Sequence, residues 1–171
     1  MHAIVIFGAG GRAGQAAVAE ALRRGHRVTA VVRDPDRYTG PRDPRARLLA
    51  GDVTDPALVA ERARGHAAAI HAAAVHGEGT DPDTFFPAAA RALISGLREA
   101  AVPRLVAIGL STLLPDADGL RPVDHGGART GGYTILDHGE PTARISYPDF
   151  AVALLDEADT PRHHRVLVSV S

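Results

Sequence analysis

The chain has 171 residues and a formal net charge of −1 at pH 7, and 45% of its residues are hydrophobic. These totals predict one domain with a hydrophobic core, and they argue against nucleic acid or an anionic membrane surface as a partner. The chain contains no cysteine, which excludes disulfides, thiolate metal sites and cysteine nucleophiles. It also contains no lysine, which excludes every mechanism that needs one.

The first two thirds of the chain alternate between short apolar runs and amphipathic stretches. Strands are predicted at 3–7, 27–32, 48–49, 67–71 and 104–108, and helices at 13–24, 56–64 and 84–101. This alternation indicates βαβ units, and therefore a single α/β domain with a doubly wound parallel sheet of the Rossmann type. The first apolar run is too short for a signal peptide or a membrane span, so we expect a cytoplasmic protein.

The pattern weakens after the fifth predicted strand. Residues 113–132 are rich in proline, glycine and aspartate and predict no helix or strand. Regularity returns at 133–136. Ser146 and Asp149 then form a capping-box pattern that predicts a helix up to about Ala158. A last strand is predicted at 166–170.

The glycine-rich stretch "FGAGGRAG" follows the first predicted strand and precedes the first helix. Its spacing fits both G-x-G-x-x-A, with Gly8, Gly10 and Ala13, and G-x-x-G-x-x-G, with Gly8, Gly11 and Gly14. In this context Gly8 permits a tight turn, Gly10 or Gly11 lets a pyrophosphate approach the backbone, and Gly14 lets the helix pack closely. The stretch predicts a dinucleotide site at the helix N-terminus, and a glycine turn without a ligand is the alternative.

The end of the second strand indicates which dinucleotide is preferred. It reads "AVVRDP", with Arg33 where NAD enzymes commonly place an acid, and Arg12 lies inside the glycine stretch. Two arginines near one expected 2′-phosphate favour NADP(H), although Arg33 as a solvated loop residue is an alternative. Asp34 keeps NAD(H) as the second choice.

Two further positions carry open alternatives. In "LLAGDVTDP" the Asp52 carboxylate would accept from the adenine amino group with Val53 against the ring, or Asp52 would simply form a turn beside Gly51. His76 follows the fourth strand, where it would contact the nicotinamide, donate a proton or remain a solvated loop residue. The nine histidines have no carboxylate cluster at ligand spacing, so no metal site is predicted.

The motifs "GAGGRAG", "VVRDP", "AGDVTDP" and "AIHAAAV", in this order, resemble the atypical short-chain dehydrogenase/reductases, in particular the NmrA-like and flavin-reductase-like NAD(P)-binding proteins. The resemblance covers residues 1–112 and returns at "GARTGGYTILDHGEPTARISYPDFAVALLDE". It implies contacts to the pyrophosphate, the 2′-phosphate, the adenine and the nicotinamide ribose, and a place for a catalytic serine. The implied pyrophosphate contacts are Gly8, Gly11, Arg12 and Gly14, and the implied 2′-phosphate contact is Arg33. The implied adenine contacts are Asp52 and Val53. On the ribose and nicotinamide side the implied residues are Ala73 and Ala74, and the place of the catalytic serine falls at Ser111 and Thr112.

Two departures from this family limit what the resemblance implies. The Tyr-x-x-x-Lys pair of the wider superfamily is absent because the chain has no lysine, so no proton donor is assigned. Relatives also carry a few tens of residues more between the fifth strand and "RTGGY", so either this protein is naturally reduced or residues are absent from that stretch. We therefore divide the domain into a cofactor-binding core, 1–112, and a shortened substrate-side part, 113–171.

The function expected from these observations is that of an NADP(H)-binding oxidoreductase-like protein. It would reduce a small-molecule acceptor such as a flavin or quinone, because these acceptors need little acid chemistry from the protein. The alternative is a non-catalytic NAD(P)-binding redox sensor that acts through a protein partner. A sugar-nucleotide epimerase is a third reading, against which the missing catalytic pair argues. The sequence predicts no oligomeric state.

Overall fold

Five short segments form one parallel sheet in the computed structural model, which describes residues 1–75, 80–109, 127–136 and 144–171. The strand order is β3-β2-β1-β4-β5. The strands are β1 (Ala3–Phe7), β2 (Arg27–Val32), β3 (Ala46–Ala50), β4 (Ala68–His71) and β5 (Leu105–Ala107). Strand order reverses between β1 and β4, and parallel sheets of this kind bind ligands beyond the carboxyl ends of the strands at such a point. The predicted Rossmann-type fold is confirmed.

Helices cover both faces of the sheet. Helices α1 (Arg12–Arg23) and α4 (Tyr147–Asp159) pack on one face, and α2 (Pro56–Ala63) and α3 (Pro82–Glu99) pack on the other. Because side chains alternate along a strand, Ile4 and Ile6 of β1 join the first hydrophobic cluster, whereas Val5 and Phe7 join the second. The apolar run of β1 is therefore buried on both sides.

Helix boundaries follow local capping chemistry. Helix α3 begins at Pro82 and not at residue 84, because the Asp81 side chain accepts a hydrogen bond from the Asp83 amide and so caps the helix. It ends at Glu99, two residues before the predicted end, and Ala101 has the left-handed φ of +55°. The predicted cap at α4 is present, because the Ser146 hydroxyl accepts from the Asp149 amide at 3.1 Å. The Asp149 carboxylate accepts from the Ser146 hydroxyl at 3.0 Å, which differs from the amide contact of a full capping box.

The last strand is shorter than predicted. Only β6 (Ile135–Leu136) and β7 (Ser169–Val170) pair, as an antiparallel ladder outside the five-stranded sheet. Val166 and Leu167 are 63% and 61% exposed and lie outside the ladder, so the strand predicted over 166–170 is wrong in its first half. The prediction rested on the apolar character of these two residues, but their side chains are exposed.

Residues 127–131 lie against α1 and α4. The Arg129 guanidinium donates to the Glu20 carboxylate of α1 at 3.0 Å. The buried Asp149 carboxylate of α4 accepts from the amides of Thr130 and Gly131 at 2.9 and 2.8 Å. The Arg129–Glu20 contact therefore joins residues 127–131 to the N-terminal half, and the Asp149 contacts join them to α4. No helix in the described residues is long and apolar enough to cross a membrane.

Candidate functional site

The glycine stretch forms a tight turn directly after β1. Gly8 has a φ of +81°, which favours glycine, and the amides of Gly8 and Ala9 both donate to the Val31 carbonyl at 3.1 Å. A Cβ on Gly8 would lie 2.5 Å from the Cα of Ala73, so the turn lies against the chain that leaves β4. The turn expected at Gly8 is therefore present, and it lies at the carboxyl edge of the sheet.

Helix α1 starts in backbone contact with this turn. A Cβ on Gly14 would overlap the carbonyl oxygen of Gly8 and would lie 2.8 Å from the Cα of Ala9. No side chain fits at this position while the helix keeps its place, which is the close packing that the sequence predicted for Gly14. Gly10 and Gly11 are exposed, and a Cβ on either would meet only ordinary contacts at 3.5 and 3.6 Å.

The N-terminus of α1 differs from that of the other described α-helices. Asp55, Asp81 and Ser146 cap α2, α3 and α4 with side-chain oxygens. The cap of α1 is Gly11, which has no side chain, and the first turn of α1 holds no acidic residue. The amides at the start of a helix need acceptors, and together with the helix dipole they favour an anion. In the described part of the chain, α1 is thus the α-helix that begins without a side-chain cap, which favours a phosphate there.

One side chain of α1 reaches back over the turn. The Gln15 amide nitrogen donates to the Gly10 carbonyl at 2.9 Å and to the Thr39 hydroxyl at 3.3 Å. Thr39 belongs to the connection between β2 and β3. Sequence reasoning missed both residues, because their contact spans 24 positions.

The residues expected to determine the preference for NADP(H) or NAD(H) lie at the carboxyl end of β2. Arg33 is exposed, and within the described ranges its guanidinium has no hydrogen-bond or ion-pair partner. The Asp34 carboxylate accepts from the Asp36 amide at 3.0 Å and caps the short 3-10 helix Pro35–Arg37. Arg12 is exposed at the first position of α1. One oxygen of Asp34 therefore takes part in local structure and its second oxygen is left for another donor, while Arg33 is available for an anion.

The two residues expected on the adenine side, Asp52 and Val53, lie just after the end of β3. One carboxylate oxygen of Asp52 accepts from the Thr54 amide at 2.9 Å and from the Thr54 hydroxyl at 2.8 Å. This is the turn-forming contact that the sequence left as an alternative to the adenine contact, and it leaves the second oxygen of this exposed carboxylate for another donor. Val53 is buried in the second hydrophobic cluster.

Ala73 and Ala74 follow β4, half-buried and exposed respectively. His76, Ser111 and Thr112 lie outside the described residues. Sequence reasoning also missed His71, the last residue of β4, which is buried and whose Nδ1 has no hydrogen-bond partner among the described residues. Burial alone lowers the pKa of His71 to about 4, so the ring is neutral at pH 7.

The backbone and side chains at this edge fit a dinucleotide. The turn at Gly8, the exposed Gly10 and Gly11 and the uncapped start of α1 form a cradle that side chains would fill. A pyrophosphate placed at the cradle would meet the start of α1, which no side chain caps, and its adenosine end would lie towards β2 and β3. No three histidine, aspartate or glutamate side chains of the described residues are grouped to hold a metal ion.

A protein-family model described as NAD(P)H-binding matches residues 8–125, which is more than half of the chain. The chain belongs to this NAD(P)H-binding family. The cofactor class is therefore a nicotinamide dinucleotide, and the resemblance to NAD(P)-binding reductases drawn from the sequence is confirmed.

Other proteins of known sequence or structure are similar over nearly the whole chain. The uncharacterized protein YwnB of Bacillus subtilis is 28% identical, and the alignment covers 94% of this chain and 93% of that protein. That alignment is 207 positions long, so the relative carries residues with no counterpart in these 171. A Burkholderia pseudomallei structure named "putative exported protein" is 27% identical with a TM-score of 0.76, and all of each chain is covered. A Streptococcus pneumoniae structure named "putative NADH-flavin reductase" is 20% identical with a TM-score of 0.71 over 99% of each chain.

Proposed function

We propose that this member of the NAD(P)H-binding family is an oxidoreductase that prefers NADP(H) and transfers hydride to a small, electron-poor acceptor such as a flavin or quinone. The observation that carries the dinucleotide part is the uncapped start of α1 beside the Gly8 turn. The remaining three described α-helices fill the same position with a carboxylate or hydroxyl. The name of the Streptococcus relative supports a flavin as one acceptor to test.

The preference for NADP(H) rests on Arg33. Its exposed guanidinium follows β2, at the sheet edge where the adenosine ribose would lie, and no described residue neutralises it. A 2′-phosphate would give this arginine a charge-assisted, bidentate partner. Asp34, the carboxylate that would bind a free 2′-hydroxyl, accepts from the Asp36 amide through one oxygen, so its second oxygen keeps NAD(H) as the second choice.

The chain's own residues mainly bind and orient the cofactor. The turn at Gly8 and the start of α1 hold the pyrophosphate, and Arg33 holds the adenosine end. When bound, the reduced nicotinamide supplies the hydride. The absence of lysine removes the usual proton-donor pair, which suits an acceptor that needs little protonation by the protein. A cytoplasmic location stays a prediction from the sequence.

A redox sensor that binds NAD(P) and acts through a protein partner is the second candidate. The lack of a Tyr-x-x-x-Lys pair favours it, because a sensor needs no catalytic group. It requires the same cradle and the same dinucleotide affinity as the enzyme, so binding alone does not separate the two functions.

The deciding experiment has two steps. Nicotinamide fluorescence is followed while the purified protein is titrated with NADPH and, separately, with NADH. Tighter binding of NADPH supports the assigned cofactor, and no binding of either would overturn the proposed function.

NADPH oxidation is then measured with a panel of flavins and quinones, using a Gly11→Val variant as the control. Turnover that this variant abolishes supports the enzyme, and binding without turnover on the whole panel supports the sensor.

A further inference from the structure

The glycine loop and the connection after β2 are joined by one side chain. The Gln15 amide group donates to the Gly10 carbonyl at 2.9 Å and to the Thr39 hydroxyl at 3.3 Å. Both distances lie at or near the normal range for hydrogen bonds. Gln15 therefore bridges the cradle for the pyrophosphate and the chain segment that begins at Arg33.

The bond to Gly10 fixes the shape of the cradle. The Gly11 amide donates to the Gly8 carbonyl at 3.2 Å, so the peptide group between Gly10 and Gly11 is held at both its nitrogen and its oxygen. A glycine-rich turn otherwise has many conformations to lose when a ligand binds. A loop that is already fixed loses less conformational entropy on binding, which strengthens affinity.

The bond to Thr39 fixes the connection after β2. Tyr38 next to it is only 6% exposed, and its phenol ring lies directly over Gly40, where no Cβ would fit. This end of the segment is therefore packed into the protein, while Arg33 at the other end is exposed. The bond from Gln15 holds the segment against the start of α1.

We propose that Gln15 is a positioning residue for the dinucleotide, which pre-arranges the Gly10–Gly11 peptide for the pyrophosphate and, through Thr39, holds the Arg33 segment for the 2′-phosphate. This inference rests on the proposed function, because it assumes that a dinucleotide binds in the cradle. The two bonds of Gln15 act on different parts of the ligand. Loss of the Thr39 bond affects only the 2′-phosphate, whereas loss of the Gly10 bond affects NADPH and NADH alike.

Two variants separate the two bonds. Gln15→Met keeps the length and the helix propensity of the side chain but removes the donor, and Thr39→Val removes only the hydroxyl. Ala19→Met is the matched control, because Ala19 is exposed and lies one turn further along the same side of α1. Dissociation constants for NADPH and NADH are measured by nicotinamide fluorescence, and the thermal midpoint of each ligand-free variant is recorded.

Thr39→Val is expected to raise the dissociation constant for NADPH about threefold and to leave that for NADH unchanged. Gln15→Met is expected to raise the value for NADPH about tenfold and that for NADH about threefold. The selectivity for NADPH thus falls in both variants, while the thermal midpoints stay near the wild-type value. Loss of a bond that only stabilised the fold would not produce this combination of results. Ala19→Met is expected to change neither constant.

The outcomes distinguish this inference from the proposed function. If the wild type binds NADPH but neither variant changes its affinity or selectivity, Gln15 is not a positioning residue and the proposed function stands. If both variants weaken NADPH and NADH equally, the link from Thr39 to the 2′-phosphate is overturned. If the wild type binds neither dinucleotide, the proposed function fails and the positioning of a dinucleotide by Gln15 fails with it.

Discussion

The Cβ that any other residue would add at Gly14 overlaps the carbonyl oxygen of Gly8, so the turn after β1 and the first turn of α1 touch through their backbones. This contact places the uncapped helix start next to the carboxyl ends of β1 and β4. The shape of the cradle therefore depends on the absence of one methyl group.

Gly14→Ala is expected to lower the free energy of unfolding by about 1–3 kcal/mol, because the helix must move away from the turn. The higher helix propensity of alanine offsets part of this loss. Urea denaturation measures the change. Gly132→Ala is the control, since no atom lies within 4 Å of a Cβ at that position. Equal stability of the two variants would show that the turn adapts to the added methyl group.

Gly11→Val is expected to keep the fold and to weaken binding of both NADPH and NADH by about tenfold or more. Gly11 has a φ of −76° and a ψ of 166°, which valine adopts without strain, and its Cβ would meet only the Gly8 carbonyl at 3.6 Å. The side chain would instead fill the exposed face of the loop. Fluorescence titration measures affinity, and circular dichroism checks the fold. Unchanged affinity in a folded variant would contradict the assignment of the cradle.

Arg33→Ala is expected to weaken the binding of NADPH about 10- to 100-fold and to leave the binding of NADH nearly unchanged, because it removes a charge-assisted bond to the 2′-phosphate. Arg27→Ala is the matched control. Arg27 is an exposed arginine at the opposite end of β2, so its replacement makes the same change in net charge. Titrations with both dinucleotides measure the effect. Equal losses for NADPH and NADH would remove the 2′-phosphate assignment.

His71 is expected to make the stability of the protein dependent on pH. Burial lowers its pKa from 6.5 to about 4, so the unfolded chain binds a proton more readily than the folded one between these values. The contribution of His71 to the free energy of unfolding is therefore at its maximum above pH 6.5, and it decreases as the pH falls towards 4. The total loss would be about 3 kcal/mol.

His71→Leu tests this dependence by urea denaturation from about pH 8 to about pH 5. The variant is expected to be as stable as the wild type or more stable at neutral pH, because no described residue bonds to the buried Nδ1. Its stability is also expected to fall less at acidic pH. His66→Leu is the comparison, because the ring of His66 bonds to the Thr29 hydroxyl at 2.8 Å and its loss destabilises. A wild-type pH slope retained in His71→Leu would exclude His71 as its source.

Local signals were sufficient for much of the fold. The bounds of β1 and β2 agree with the sequence to the residue, because each is a compact apolar run with a clear break beside it. The starts of α2 and α4 agree as well, since Asp55 and Ser146 cap them through bonds to amides two and three residues away. The turn at Gly8 was predictable because only glycine adopts its φ readily.

The sequence by itself determined the order of the elements, the glycine turn and the dinucleotide class, because these follow from bonds and periodicities within a few residues. Only the tertiary structure decided the contacts that join distant positions: Gln15 to Thr39, 24 residues apart, and Glu20 to Arg129, 109 apart. Burial would raise the pKa of Glu20, yet hydrogen bonds from Arg23, Arg129 and Arg24 hold it well below its usual range. No spacing rule predicts such partners, since the packing of helices on the sheet determines which side chains meet.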